Sequence, residues 1–287
     1  MAPDNILIQT VLVPGAVAML AAGLLWFIGG ADRGYAAAAG AIGIGFIAGY
    51  LVILGAPLAP PASSMQKLFY IVAGGAAFGV LLDLMRPPPA VTRALGAMAP
   101  SGIIAWFIWS RLFAIDWSAD WTLLVKAVIF AAVAGAILAS LYRDRGAAVE
   151  PSVMIMAAAL GLAGLAFFGA SAAVAQLSGV VAASAGGLLL WNWPFSRHGF
   201  GVAGVLGGGG AMIGLAAILL FFSEANPLAL AMLAGVFFAA PLAERLAPGR
   251  GGLARAMRPF AVAVAAAIPV LAALGVAFLM DGIGGGY

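Results

Sequence analysis

PSVMIMAAALGLAGLAFFGASAAVAQLSGVVAASAGGLLLWNWPFS, residues Pro151–Ser196, runs for 46 residues without a charged side chain. Read as one helix, its Pro151–Trp191 part would be about 61 Å long at about 1.5 Å per residue, twice the thickness of a bilayer's hydrocarbon core. Two spans joined by a tight turn near Gly169–Ser171 fit that core. Counting the stretch as a single span would also throw the four arginines Arg245, Arg250, Arg255 and Arg258 onto the opposite side from the other arginine loops.

The rest of the chain is built from the same material. Its 287 residues are 65% hydrophobic and 8% charged, with a mean hydropathy of +1.15. A soluble fold has too little interior to hide so much apolar surface, whereas a bilayer accommodates it in spans of about 20 residues. The apolar runs are rich in Ala, Leu and Gly and do not alternate, so helices are predicted and barrel strands are not.

Ten helices are predicted over Ile6–Gly29, Tyr35–Leu54, Leu68–Leu84, Ala94–Leu112, Trp121–Tyr142, Pro151–Phe168, Ala172–Trp191, Gly199–Phe221, Pro227–Ala243 and Pro259–Met280. Turn-forming stretches such as RPPP and SEANP punctuate them. No hydrophilic stretch is long enough for a separate domain, so residues 1–287 read as a single all-α transmembrane domain. MAPDNILIQT lacks the positive region of a signal peptide and is read as the start of a retained first span.

Charge orients these spans. With the amino terminus outside, the inner loops hold Arg33, Arg86, Arg93, Arg143, Arg145, Arg197, Arg245, Arg250, Arg255 and Arg258. The outer loops hold only Lys67 and Arg111. By the positive-inside rule both termini are expected outside. The aromatic residues agree: Trp106, Trp109, Trp117 and Trp121 gather at one interface, and Trp26, Trp191 and Trp193 at the other. The excess of basic residues and the pI near 9.6 are then a topological signal rather than a mark of nucleic-acid binding. Anionic lipid headgroups are the expected contact of Arg245, Arg250, Arg255 and Arg258.

Ten spans divide into two sets of five, and an odd-numbered repeat must be inverted. AVAMLAAGLLWFIGG and AAALGLAGLAFFGA match mainly in composition, so the inverted repeat is an expectation from parity. Forty glycines, many four residues apart, suit close helix packing in lipid. Gly207, Gly208, Gly209 and Gly210 stand consecutively inside the eighth span, where each glycine costs about 1 kcal/mol of helix propensity relative to Ala. Either the run unwinds and offers backbone groups to a solute, or it makes a flat face against bulky neighbours. Pro14, Pro100, Pro241 and Pro269 are expected to kink their helices.

Few polar side chains lie at membrane depth. Lys126, about five residues into the fifth helix, either snorkels toward Asp120 and Asp116 or contacts a solute. Asp83 is expected to pair with Arg86 three residues on, the rival reading being a cation or proton site. Glu224 precedes the ninth helix as an N-terminal anion or gate carboxylate. Gln9, Gln176 and Ser178 are expected to bond between helices, with Gln176 a candidate solute contact. His198, the only histidine, reads as a solvated loop residue.

Chemistry is mostly excluded. Cysteines are absent, and a lone histidine makes no transition-metal site or paired haem ligation. No phosphate loop, dinucleotide fingerprint, serine elbow or HExxH occurs. No cofactor and no enzymatic activity are therefore expected. The leading reading is a secondary transporter or exporter of a small solute in a bacterial cytoplasmic membrane. A non-catalytic membrane subunit or scaffold, partnered by another membrane protein or by copies of itself, is the alternative. The third is a membrane enzyme acting on a lipid or polyprenyl substrate.

Overall fold

The computed structural model describes residues 3–112, 121–169, 171–223, 225–246 and 252–282. Among them are ten helices long and apolar enough to cross a membrane and no strand, which makes the chain a multi-pass membrane protein. These are α1 (Asn5–Gly29), α2 (Asp32–Leu54), α3 (Ser64–Met85), α4 (Pro89–Trp109), α5 (Trp121–Arg143), α6 (Val149–Phe168), α7 (Ala172–Asn192), α8 (Gly201–Phe222), α9 (Pro227–Arg245) and α10 (Ala256–Met280). The neutral stretch is indeed two spans, with α6 and α7 packed side by side along their length.

Successive helices reverse direction and define two faces. On the arginine face Arg86 pairs with Asp32 at 3.2 Å, and Arg258 bridges Glu150 and Glu244 at 2.7 and 3.2 Å. On the other, the terminal face, Lys67 Nζ donates to the Trp106 carbonyl at 2.9 Å, and the α6 end at Gly169 meets Ala225 before α9. Tryptophans cap the arginine face as well. Trp191 Nε1 donates to the Met19 carbonyl at 2.8 Å, and Trp193 Nε1 to that of Ala256 at 3.0 Å. Trp117 and Glu224 lie outside the described residues, as do Asp116 and Asp120.

Glycine sets the tightest contacts. A methyl placed on Gly79 of α3 would lie 2.6 Å from Ala203 Cα on α8, and one on Gly75 would lie 2.7 Å from the Leu206 carbonyl oxygen. Backbone therefore meets backbone along the α3–α8 seam, where dispersion contacts accumulate without a hydrophobic driving force. Around this seam α1, α2, α6 and α7 complete the inner bundle, α10 packs on α6, and α4 and α5 form a hairpin beside α8.

Proline explains one irregular helix. Pro241 in α9 has no N–H and crowds the carbonyl four residues before it, that of Phe237. The backbone tightens into a 3₁₀ stretch over Ala234–Phe238 just ahead of Pro241, and the Phe237 carbonyl instead accepts a hydrogen bond from Ser140 Oγ at 3.2 Å. That bond ties α9 to α5.

Candidate functional site

Between α5, α6, α8 and α9 the helices enclose a crevice of about 230 Å³. Its walls include Ile129 and Val133 of α5, Leu162 of α6, Met212 of α8, and Leu230 and Phe237 of α9. Ile129 and Val133 are exposed, so the crevice opens sideways toward lipid. Lys126 is the only charged residue on its lining among the described residues and is itself exposed. From Lys126 to Ile137, another lining residue, α5 advances about 16 Å at about 1.5 Å per residue. Beyond Ile137, toward the arginine face, the Ser140–Phe237 bond joins α5 to α9. The result is an apolar crevice with Lys126 at one end.

Lys126 thus lies where the sequence puts it, near the end of α5, and it borders a cavity. Gln176 is half-buried on α7 and does not line this crevice. A wider lateral groove of about 510 Å³ lies between α3 and α4, bordered by Phe78, Met98 and Trp106. The α4–α5 hairpin accordingly has an opening on each side.

The glycine run does not unwind. α8 stays helical through it, passing through a wider π-turn over Val205–Gly209. Gly208 faces Ile42 and Ile155, Gly209 faces Leu138, and Gly207 faces Ala76 and Gly43. The packing follows the flat-face reading, because bulky aliphatic side chains fill what the missing Cβ atoms vacate. Gly210 borders the α3–α4 groove.

Asp83 departs from the expected pairing with Arg86, whose guanidinium instead holds Asp32. The buried Asp83 carboxylate accepts the backbone N–H groups of Val202 and Ala203 at 2.9 and 2.8 Å. It works as a cap supplied by α3 to the first turn of α8, satisfying two amides that have no partner within their own helix. Its sign also suits the positive end of the helix dipole. Gly201 makes the approach feasible: its φ is +58°, and a Cβ there would lie 2.4 Å from Asp83 Oδ2 and from the Ala36 carbonyl oxygen.

His198 is likewise not solvated. It is 2% exposed, its ring lies edge-on to Trp191, and its backbone N–H donates to Asn192 Oδ1 at 2.7 Å. Burial, and then the Arg197 charge, hold its imidazole below the usual histidine range. Asn192, whose Oδ1 also receives the Arg197 N–H, folds the loop back on α7. The Ser178 hydroxyl, expected to bond between helices, is buried with no hydrogen-bond partner among the described residues.

Of the arginines read as lipid contacts, Arg245 is exposed and Arg258 is already engaged by Glu150 and Glu244. Arg250 and the Arg255 side chain lie outside the described residues. A further basin on the arginine face holds Arg93, Arg143 and Arg145, which sequence reading counted only as topology. No group of three or more metal-ligating side chains occurs among the described residues.

These features define a ten-helix integral membrane protein with a lateral apolar crevice. No protein-family model matches the chain, and no significant relative appears among curated proteins.

Proposed function

We propose that the protein is a secondary transporter or exporter of a small amphipathic anion, which it takes from or gives to the bilayer through the crevice beside Lys126. The observation that carries this reading is an apolar crevice, open to lipid, with the Lys126 ammonium on its lining. A charge at that depth is costly unless it snorkels or meets a counter-charge, and an anionic headgroup above a buried tail supplies one. The α4–α5 hairpin, flanked by two openings, is the natural moving part. No reaction is assigned to the site.

In this reading the arginine face lies inside a bacterial cytoplasmic membrane and both termini lie outside. A reporter fused after Tyr287 is then active as a periplasmic phosphatase and dark as a cytoplasmic fluorophore; the reverse result rejects the orientation. Adjacency supports a five-plus-five inverted arrangement. α1 packs on α2 as α6 packs on α7, α4 on α5 as α9 on α10, and α3 on α8. The extensive α1–α7 and α6–α10 contacts depart from it, having no equally extensive α2–α6 and α1–α5 counterparts.

A filled interior at Gly207, Gly208 and Gly209 favours a second reading, a non-catalytic subunit of a larger membrane assembly. Single cysteines separate the two, since the chain has none. In nanodiscs, Met212→Cys should react with a lipid-soluble maleimide and be protected by decanoate, with protection weakened about tenfold, or about 1.4 kcal/mol, by Lys126→Gln. An unreactive Met212→Cys in a chain that purifies with a stoichiometric membrane partner would favour the subunit.

A further inference from the structure

We propose that the basin formed by Arg93, Arg143 and Arg145 on the arginine face is a binding site for a phosphate-bearing anion. It occupies about 600 Å³ and is lined by Arg93 of α4, Ala139, Tyr142 and Arg143 of α5, and Arg145 and Gly146 of the turn that follows. Half of its lining residues carry a guanidinium and none carries a carboxylate.

Nearby acids are committed elsewhere. Glu150 and Glu244 hold Arg258, Asp32 holds Arg86, and Asp83 caps α8. Asp144, although adjacent in sequence, interacts with Glu150, Glu244 and Arg258 as well as with Arg143. Among the described residues no carboxylate forms a salt bridge with Arg93, Arg143 or Arg145. Three guanidinium groups therefore converge on one hollow with no carboxylate in direct contact, Asp83 and Asp144 acting on Arg145 and Arg143 only at longer range.

The hollow is also built. Thr92 Oγ1, beside Arg93, shares a hydrogen bond with the hydroxyl of Tyr142, beside Arg143. This buried link fixes the distance between α4 and α5 at the basin. Arg145 lies over the Tyr142 ring, its guanidinium carbon 3.8 Å from the centroid, and its carbonyl accepts the Phe200 N–H at 2.8 Å. Tyr35 hydroxyl donates to the Gly146 carbonyl at 2.8 Å. Topology alone asks for basic residues on a face; it does not ask for three forks around a tyrosine platform. Guanidinium forks match phosphate oxygens two at a time, which an ammonium does not.

The phosphate has two conceivable sources, the headgroup of an anionic phospholipid and a soluble phosphate. Full-length protein in phosphatidylcholine nanodiscs would be titrated calorimetrically with inorganic phosphate. In a second arm, phosphatidylglycerol retained by protein from mixed nanodiscs would be counted by native mass spectrometry. The Arg93→Gln/Arg143→Gln pair should weaken phosphate binding or phosphatidylglycerol retention at least tenfold. The charge-matched control Arg33→Gln/Arg197→Gln should leave both unchanged. Loss in the first arm only identifies a soluble anion, and loss in the second only a lipid headgroup.

If the glutamine pair fails to fold, Arg93→Lys/Arg143→Lys decides. It keeps the charge, loses the forks, and should still weaken binding several-fold. Equal losses in basin and control pairs, or no binding of either probe to the parent protein, would overturn the proposal.

Discussion

α8 and α5 are neighbours built on opposite terms. Over its most apolar 18-residue window α8 is 83% buried, and α5 is 17% buried. The first makes its contacts through missing side chains, with Gly207, Gly208 and Gly209 closed in by adjacent helices and Gly204 by the Phe200 ring at the helix start. The second spends its bulk on lipid and on the crevice, and a methyl on its Gly135 would meet nothing within 4 Å. Dense packing defines the scaffold, while loose packing leaves room for a ligand and for motion.

The comparison breaks most readily at its anchor. Asp83→Ala removes both acceptors of the Val202 and Ala203 amides and leaves them buried at the start of α8. Orphaned donors at a charged partner cost about 3 kcal/mol in all. Unfolding by sodium dodecyl sulfate in mixed micelles should register that loss. A change near zero would mean that α8 is held by packing alone.

A milder pair of substitutions sharpens the contrast. Gly79→Ala pushes a methyl to 2.6 Å from the Ala203 backbone, where no flexible side chain can yield, and should cost about 2 kcal/mol. Gly135→Ala on α5 has free space and gains about 0.5 kcal/mol of helix propensity. Opposite signs in the same assay support the division; equal losses would erase it.

Span number was legible because apolar length is a one-dimensional property, and most boundaries fall within a few residues of their predicted places. Partners were not. Asp83 and Arg86 stand at helical spacing, yet Asp83 finds Val202, 119 residues away, because a helix start with free amides outbids a neighbouring guanidinium. Propensity argues for unwinding at Gly207–Gly210, but Ile42, Leu138 and Ile155 supply the packing that keeps α8 helical, and nothing in the local sequence names them. His198 sits in a polar-looking loop that Asn192 turns inward. Lys126 was conspicuous as a charge at depth, whereas its crevice depends on α6, α8 and α9 arriving beside α5.

His198 offers a smaller, pH-dependent test on the scaffold side. Its folded form binds a proton less readily than the unfolded chain, whose histidine titrates near 6.5. Its contribution is therefore fully present above that value and is lost as pH falls toward the depressed folded value. Melting midpoints taken at about pH 7.5 and about pH 5.5 should separate more for the parent than for His198→Gln. Identical separations would show that the buried ring does not titrate with unfolding.

The smallest effect belongs to Asp144, at the end of α5. Burial first, and then the Glu150 charge, raise its carboxyl above the ordinary 3.8. The folded state therefore binds this proton more tightly than the unfolded chain does. The resulting stability is present below the unfolded value and is lost as pH rises through the folded one. At neutral pH the ionised carboxylate opposes folding, but its partial solvent contact makes the penalty slight. Asp144→Asn should raise the melting midpoint a little near pH 7 and leave it unchanged below about pH 4. A fall near pH 7 would mean instead that Asp144 pairs productively with Arg143, the basin arginine beside it, and so would return some negative charge to the phosphate site.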